Sequence, residues 1–168
     1  MAADVVGYSR LIRADEAGTL AQLKVLRKEV FDPRIAEHNG RIVKTMGDGV
    51  LVEFPSAVDA AQSAIKVQRA LSRRNEEVPL DYRVELRIGI NLGDIVVDGE
   101  DIFGDGVNVA ARIEELCDAG EVYVSAAIHD QIEGKFAAAL DDLGEHTFKN
   151  IDKPIRVYRV SPEAGSVA

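Results

Sequence analysis

Apolar and polar positions alternate with two different periods along the chain, and the places where the period changes divide it into elements. Ile42-Val43-Lys44-Thr45-Met46 and Val50-Leu51-Val52-Glu53-Phe54 are runs of strand-forming residues on either side of Gly47-Asp48-Gly49. That pattern predicts a hairpin over 41–54, with the carboxylate of Asp48 held at its tip. Upstream, Leu11, Leu20, Leu23, Leu26, Val30 and Ile35 recur near helical spacing. They predict a long helical segment that Asn39-Gly40 stops and that Pro33 kinks or divides. Downstream, Pro55-Ser56 opens a second helix with Val58, Ala61, Ile65 and Leu71 on one stripe. Val84, Leu86, Ile88 and Ile90 then alternate with polar residues or glycine, predicting a strand over 83–91. A further strand over 94–97, a polar connection over 98–101 and a helix over 107–116 follow. The chain closes with a strand over 121–124, a short helix through Ile132 capped by Ser125, and a hairpin of 138–149 with 155–160.

Strand, helix, hairpin, helix, strand is the order of an α+β fold. It predicts a ferredoxin-like βαββαβ core, an antiparallel sheet with helices on one face, extended by a C-terminal α/β part. With 168 residues, 46% of them apolar, residues 1–160 make one domain and 161–168 a tail. Met1-Ala2-Ala3 is short for the whole strand that should carry Asp4, so that strand is expected to be cut at its N-terminal end, with room for upstream regulatory domains. A net charge of -9 argues against nucleic-acid binding and against contact with an anionic membrane. No apolar run reaches the roughly 20 residues of a bilayer span and no secretory leader opens the chain, so a cytoplasmic location is expected. The single cysteine, Cys117, reads as a small core residue on a helix and fits a reducing compartment.

Several polar residues stand where chemistry could use them. Asp4 lies in an apolar opening, Met1-Ala2-Ala3-Asp4-Val5-Val6-Gly7. An ionised carboxylate there costs on the order of several kcal/mol unless a cation or strong donors compensate it, and an exposed strand end is the ordinary alternative. Asp48 taken alone is ordinary turn chemistry. In a βαββ core, however, the first strand neighbours the central hairpin, which sets both acids at one edge of the sheet. Two carboxylates without His or Cys suit Mg²⁺ or Mn²⁺ better than zinc. The backbone of residues 5–9, including Val6, Gly7 and Tyr8, can turn its N–H groups toward an anion such as a triphosphate.

Asn108 and Arg112 are four apart on one predicted helix behind a glycine-rich turn, so they share a face. Arg can stabilise a phosphoryl transition state and Asn can orient a hydroxyl, a solvated helix face being the plain alternative. Lys44 and Asp101 form a donor and acceptor pair for a planar base, or two separate surface charges. His38, His129 and His146 lie outside these groups and read as structural.

Asp4-Val5-Val6-Gly7-Tyr8-Ser9, Lys44-Thr45-Met46-Gly47-Asp48-Gly49, Gly89-Ile90-Asn91-Leu92-Gly93 and Asp101-Ile102-Phe103-Gly104-Asp105-Gly106-Val107-Asn108-Val109-Ala110-Ala111-Arg112 occur in one order and spacing. This succession resembles the motifs of the class III adenylyl/guanylyl cyclase catalytic domain over residues 1–160. The resemblance implies the class III nucleotide cyclase fold and a homodimer with active sites in the subunit interface. It implies that Asp4 and Asp48 of one chain hold two Mg²⁺ or Mn²⁺ ions per site, with the Val5 carbonyl as a further ligand. Lys44 and Asp101 of the other chain would read adenine. Guanylyl members usually carry Glu and a small residue such as Cys there, so ATP is the implied substrate. Asn108 and Arg112 would assist the transition state, and Lys149, in Phe148-Lys149-Asn150, resembles the lysine that contacts the phosphates.

The implied reaction is attack of the ribose 3′-hydroxyl on the α-phosphorus, releasing pyrophosphate and closing 3′,5′-cyclic AMP. One metal would lower the pKa of the hydroxyl and the other would neutralise the leaving group. The rest is positioning and charge stabilisation, which needs no nucleophilic triad. Tyr8 stands where Phe is common, and 93–101 is short beside the arm that many members extend across the dimer. The alternatives are a guanylyl cyclase and a nucleotide-binding regulatory module without turnover. A diguanylate-cyclase palm would need a Gly-Gly-Asp/Glu-Glu-Phe-like turn, which Met46-Gly47-Asp48-Gly49-Val50 is not.

Overall fold

The computed structural model describes residues 1–46, 48–93, 95–98 and 101–162. The opening apolar run forms strand β1 (Ala2–Val5), after which the chain bends at Gly7 and enters helix α1 (Tyr8–Ala14). Gly7 has φ 64°, a left-handed conformation that glycine takes without the strain a Cβ would bring. The single long helical segment expected from the leucine spacing is divided. Asp15 is extended, and its side chain accepts from the Gly18 N–H at 3.0 Å, capping α2 (Glu16–Leu26). A π-helical stretch, Arg27–Phe31, continues into α3 (Asp32–Glu37). Pro33 falls at the start of α3 inside this continuous helical path and offers no N–H to the preceding turn, where the Glu29 carbonyl accepts instead from Arg34 Nη1 at 3.3 Å.

The hairpin forms as expected from β2 (Arg41–Met46) and β3 (Gly49–Glu53), with Gly47 outside the described residues. A register shift between Ile42 and Lys44 marks a bulge immediately before Lys44. Ser56 caps α4 (Ala57–Asn75) by accepting from the Asp59 N–H at 3.0 Å. There follow β4 (Leu86–Ile90), β5 (Val96–Asp98), β6 (Asp101–Phe103), α5 (Asp105–Leu116), β7 (Val122–Ser125), α6 (Ala126–Ile132), β8 (Ala138–His146) and β9 (Ile155–Pro162). Of the strand expected over 94–97, Asp94 lies outside the described residues. Part of the expected polar connection instead pairs, Asp98 opposite Asp101, with Gly99 and Glu100 outside the described residues. Strand β9 runs to Pro162, past the expected start of the tail, whose residues 163–168 are also outside them.

Among the described residues the large sheet has the order β2-β3-β1-β4-β7-β9-β8, with β4 and β7 parallel and its other pairs antiparallel. β1, the helices up to α3, β2, β3, α4 and β4 are the expected βαββαβ core. The helices of that core lie on one face, as expected, and α5 of the added C-terminal part covers the other. Val122 and Val124 of β7 join the core under α4 and α6, whereas Tyr123 joins a second cluster with Val109 and Ile113 of α5 and Val157 of β9. All positions of β7 are buried, so its sequence carries no polar face to betray which side is covered. Cys117 is buried at the end of α5, and burial pushes its thiol up to about 12, which leaves it unreactive at neutral pH.

Met1 continues the ladder of β1. Its backbone nitrogen donates to the Val52 carbonyl at 2.8 Å, and its carbonyl accepts from the Val52 N–H at 2.8 Å.

Candidate active site

Alternation along β1 sends Ala3 and Val5 into the core and leaves Asp4 on the opposite face, its side chain 23% exposed. There it meets Arg87, its ladder partner on β4. Arg87 Nε donates to Asp4 Oδ1 at 3.1 Å and Nη2 donates to Oδ2 at 3.0 Å, a two-pronged ion pair. Asp4 raises the pKa of the guanidinium further above its ordinary value. Glu114 of α5 lies behind this pair, 5% exposed, with Oε2 3.9 Å from Arg87 Nη2. Burial, and then the hydrogen bond it shares with Asp4, lift the Glu114 carboxyl far above the usual carboxylate range. A neutral Glu114 therefore supports a charged Asp4 that one arginine neutralises. Nothing in the local pattern around Arg87 or Glu114 marks them, and sequence reasoning missed both. The one available signal was that Arg87 is the charged residue of an otherwise apolar strand.

The pKa of Glu114 has a testable sign. The folded state keeps a proton that the unfolded state has lost, so the stability this brings is lost as pH rises through the folded value. Glu114→Gln keeps a donor to Asp4 and removes the titration. Without divalent metal, its melting temperature is expected to fall less steeply than that of the parent as pH rises toward about 9. An equal or steeper fall would overturn the assignment of a neutral Glu114.

The hairpin register brings the second acid to the first. Asp4 pairs with Gly49 of β3, and half-buried Asp48 is the residue before Gly49. Among the described residues no group of three or more His, Cys, Asp or Glu is arranged to hold a metal. A cation here would draw on two carboxylates, the Val5 carbonyl and oxygens of a bound nucleotide, an all-oxygen set suited to Mg²⁺ or Mn²⁺. The residues present fit such an ion, because Asp4 already has both oxygens turned to a cationic group, Arg87.

Val6, Gly7 and Tyr8 separate in role. The Val6 N–H is committed to the Glu85 carbonyl at 2.8 Å, and half-buried Tyr8 packs against the core. The N–H groups that begin α1 from Gly7 onward are those a helix leaves without intrahelical partners. Arg10 folds back over Gly7, with Nε 3.5 Å from where a Cβ would stand, and adds a cation that sequence reasoning also missed.

The second constellation is on α5 and its neighbours. Asn108 is exposed, and Arg112, one turn later, pairs with Glu115 at 3.1 Å. The Glu115 carbonyl accepts from Arg87 Nη1 at 3.3 Å, so Glu115 links Arg112 to the Asp4 pair. The helix lies this close to β4 because residue 89 is glycine: a Cβ there would lie 2.4 Å from the Glu114 nitrogen and 2.6 Å from the Ala110 oxygen. Lys44 follows the bulge in edge strand β2, and β2 lies against β6, whose backbone includes Asp101. The Asp101 side chain is outside what the structure describes. Lys149 is exposed on the loop between β8 and β9, and the flanking Phe148 and Ile151 pack on the cluster that includes Val109 and Ile113 of α5. Lys44 thus lies on the strand beside β6, and Lys149 on the loop that packs toward α5.

Asp4 of β1 and Asp48 next to its register partner Gly49, with helix α5 packed behind Asp4, form a candidate two-carboxylate site on an α+β fold. A family model described as the adenylate and guanylate cyclase catalytic domain matches residues 1–161, and the chain belongs to that family. It is 48% identical over 97% of its length to a Rhizobium meliloti protein named "Putative adenylate cyclase 3", of which it spans 28%. It is 32% identical over 77% of its length to the adenylate cyclase of Streptomyces coelicolor, spanning 32% of that protein. The crystal structure of an adenylate/guanylate cyclase/hydrolase from Silicibacter pomeroyi superposes with a TM-score of 0.88 at 44% identity, covering 97% of this chain and 95% of that one.

Proposed function

We propose that this chain is the catalytic domain of an adenylyl cyclase, acting as a homodimer at the cytoplasmic side of the cell and turning ATP into 3′,5′-cyclic AMP and pyrophosphate. The observation that carries this reading is the register that pairs Asp4 with Gly49, the residue after Asp48, with a displaceable cation, Arg87, already on Asp4. Asp4, Asp48 and the Val5 carbonyl would hold two Mg²⁺ or Mn²⁺ ions, which when bound acidify the ribose 3′-hydroxyl and offset charge on the leaving pyrophosphate. Arg87 also lies 3.9 Å from Glu114 and donates to the Glu115 carbonyl at 3.3 Å, contacts that would hold it beside the site if Asp4 bound a metal, with its freed donors available to phosphate oxygens. The N–H groups from Gly7 onward and the Arg10 side chain extend that anion-binding rim.

The opposite wall would come from the second protomer. There Arg112 stabilises the equatorial charge of the transition state, Asn108 orients the ribose and Lys149 contacts the phosphates. Lys44 and Asp101 select the base, Lys44 as donor and Asp101 as acceptor toward adenine. Both half-sites then depend on one hairpin, which carries Asp48 at its tip and Lys44 in its first strand.

Cyclic nucleotide formation from ATP and from GTP, with Mn²⁺ or Mg²⁺, tests the proposal. Lys44→Ala is expected to cut the preference for ATP over GTP by about tenfold, the worth of one good polar contact, with the metal concentration for half-maximal activity unchanged. A GTP preference in the parent protein would overturn the adenylyl assignment. Equal loss of base preference and metal response would count against the division of labour within the hairpin.

A further inference from the structure

We propose that the cavity between α2, the π-helical stretch and the core face of the sheet is a binding site for a straight-chain carboxylate of about ten carbons. The cavity has a volume of about 270 Å³. Its walls include Leu23 and Leu26 of α2, Val30 and Phe31 of the π-helical stretch, Val67 of α4 and Val84 before β4. All of these but Leu23 are buried. The cavity opens to solvent past exposed Leu20 and Lys24, and its apolar walls make fewer dispersion contacts than a packed interior would, contacts that an apolar guest restores. For scale, a closed carbon-lined cavity of about 150 Å³ accepts benzene. This cavity therefore has room for nearly twice that hydrocarbon.

The π-helical stretch is the local device that makes the wall. It keeps α2 and α3 in one continuous helical path, and its residues Arg27, Val30 and Phe31 all line the cavity. Such stretches are rare and concentrate at functional sites.

The polar residues of the lining choose the headgroup. Lys24 and Arg27 line the cavity one turn apart on the same helix. Arg27 is tied to Asp32 at 3.3 Å, whereas Lys24 makes no ion pair among the described residues. Asp48 also lines the cavity and repels a negative headgroup. A carboxylate is thus drawn to Lys24 and away from Asp48, which orients the chain within the cavity. Because Asp48 and Thr45 belong to the hairpin of the proposed metal site, the cavity shares its wall with that site. The inference itself does not depend on the cyclase assignment.

Displacement of a fluorescent straight-chain carboxylate by decanoate, measured on the whole chain, tests this. One saturable site per chain is expected, with a Kd on the order of tens of micromolar. Leu23→Trp and Val30→Phe, which fill the cavity from two sides, should each weaken decanoate at least about tenfold in protein that still unfolds cooperatively. Lys24→Ala, at an exposed position, should weaken decanoate about tenfold and leave decanol unchanged. No saturable binding, parent-like binding in both filled variants, or equal losses for decanoate and decanol in Lys24→Ala would overturn the proposal. One-for-one displacement of decanoate by ATP with Mn²⁺ would do so as well, since it would assign the cavity to the nucleotide.

Discussion

Asp48→Ala is expected to lower cyclic AMP formation by about 10³-fold, with the unfolding transition nearly unchanged. Asp48 sits at a turn and is only half-buried. Its side chain makes no ion pair among the described residues, so truncation removes a half-buried carboxylate and little packing. What it does remove is the acid next to Gly49, the residue that register pairs with Asp4, and with a single carboxylate left the site has too few hard oxygens to hold two ions. Asp48→Asn is the sharper variant, since it keeps the shape and loses the charge. Initial rates across a metal titration, with thermal unfolding in parallel, check the expectation. Activity within tenfold of the parent at saturating Mn²⁺ would remove Asp48 from the metal site.

Gly89→Ala should destabilise the protein by about 3 kcal/mol and reduce activity more than tenfold. Most glycines are valued for their freedom of backbone conformation, but Gly89 lies in a regular strand and is needed for space. The atoms an alanine would meet, the Glu114 nitrogen and the Ala110 oxygen, are helix backbone and cannot rotate away. The whole of α5 would have to lift from β4, taking Asn108, Arg112 and Glu114 with it. Gly134 supplies the contrast: it has φ 74° with nothing near its missing Cβ. Gly134→Ala should therefore cost only about 1 kcal/mol of left-handed strain and leave activity intact. Urea unfolding and initial rates of the two variants separate the cases. A Gly89→Ala protein as stable as Gly134→Ala would show that the helix is not held by this contact.

The site was legible where its chemistry is local. Asp48 at a Gly-Asp-Gly bend and Asn108 with Arg112 on one helix face follow from turn chemistry and helical spacing, and the structure places them on the elements expected. Ser56 and Ser125 cap the helices that follow them for the same reason. The break at Asp15 was also local, a capping residue followed by Glu16, but a stripe of leucines hid it. Asp4 was recognisable as a carboxylate in need of compensation. Which group compensates it was not, because Arg87 is 83 positions away and becomes a neighbour only through the pairing of β1 with β4.

By itself, then, the sequence determined the elements, their order and the residues that could bear charge at a site, since periodicity and turn chemistry act over a few residues. Only the tertiary structure decided that Arg87 occupies both oxygens of Asp4, that Glu114 is buried behind them and that helices cover both faces of the sheet. The cavity beside Asp48 belongs to the same class. Each of these depends on strand register and on how closely a helix approaches a glycine in a strand, quantities set by the packing of distant segments against one another.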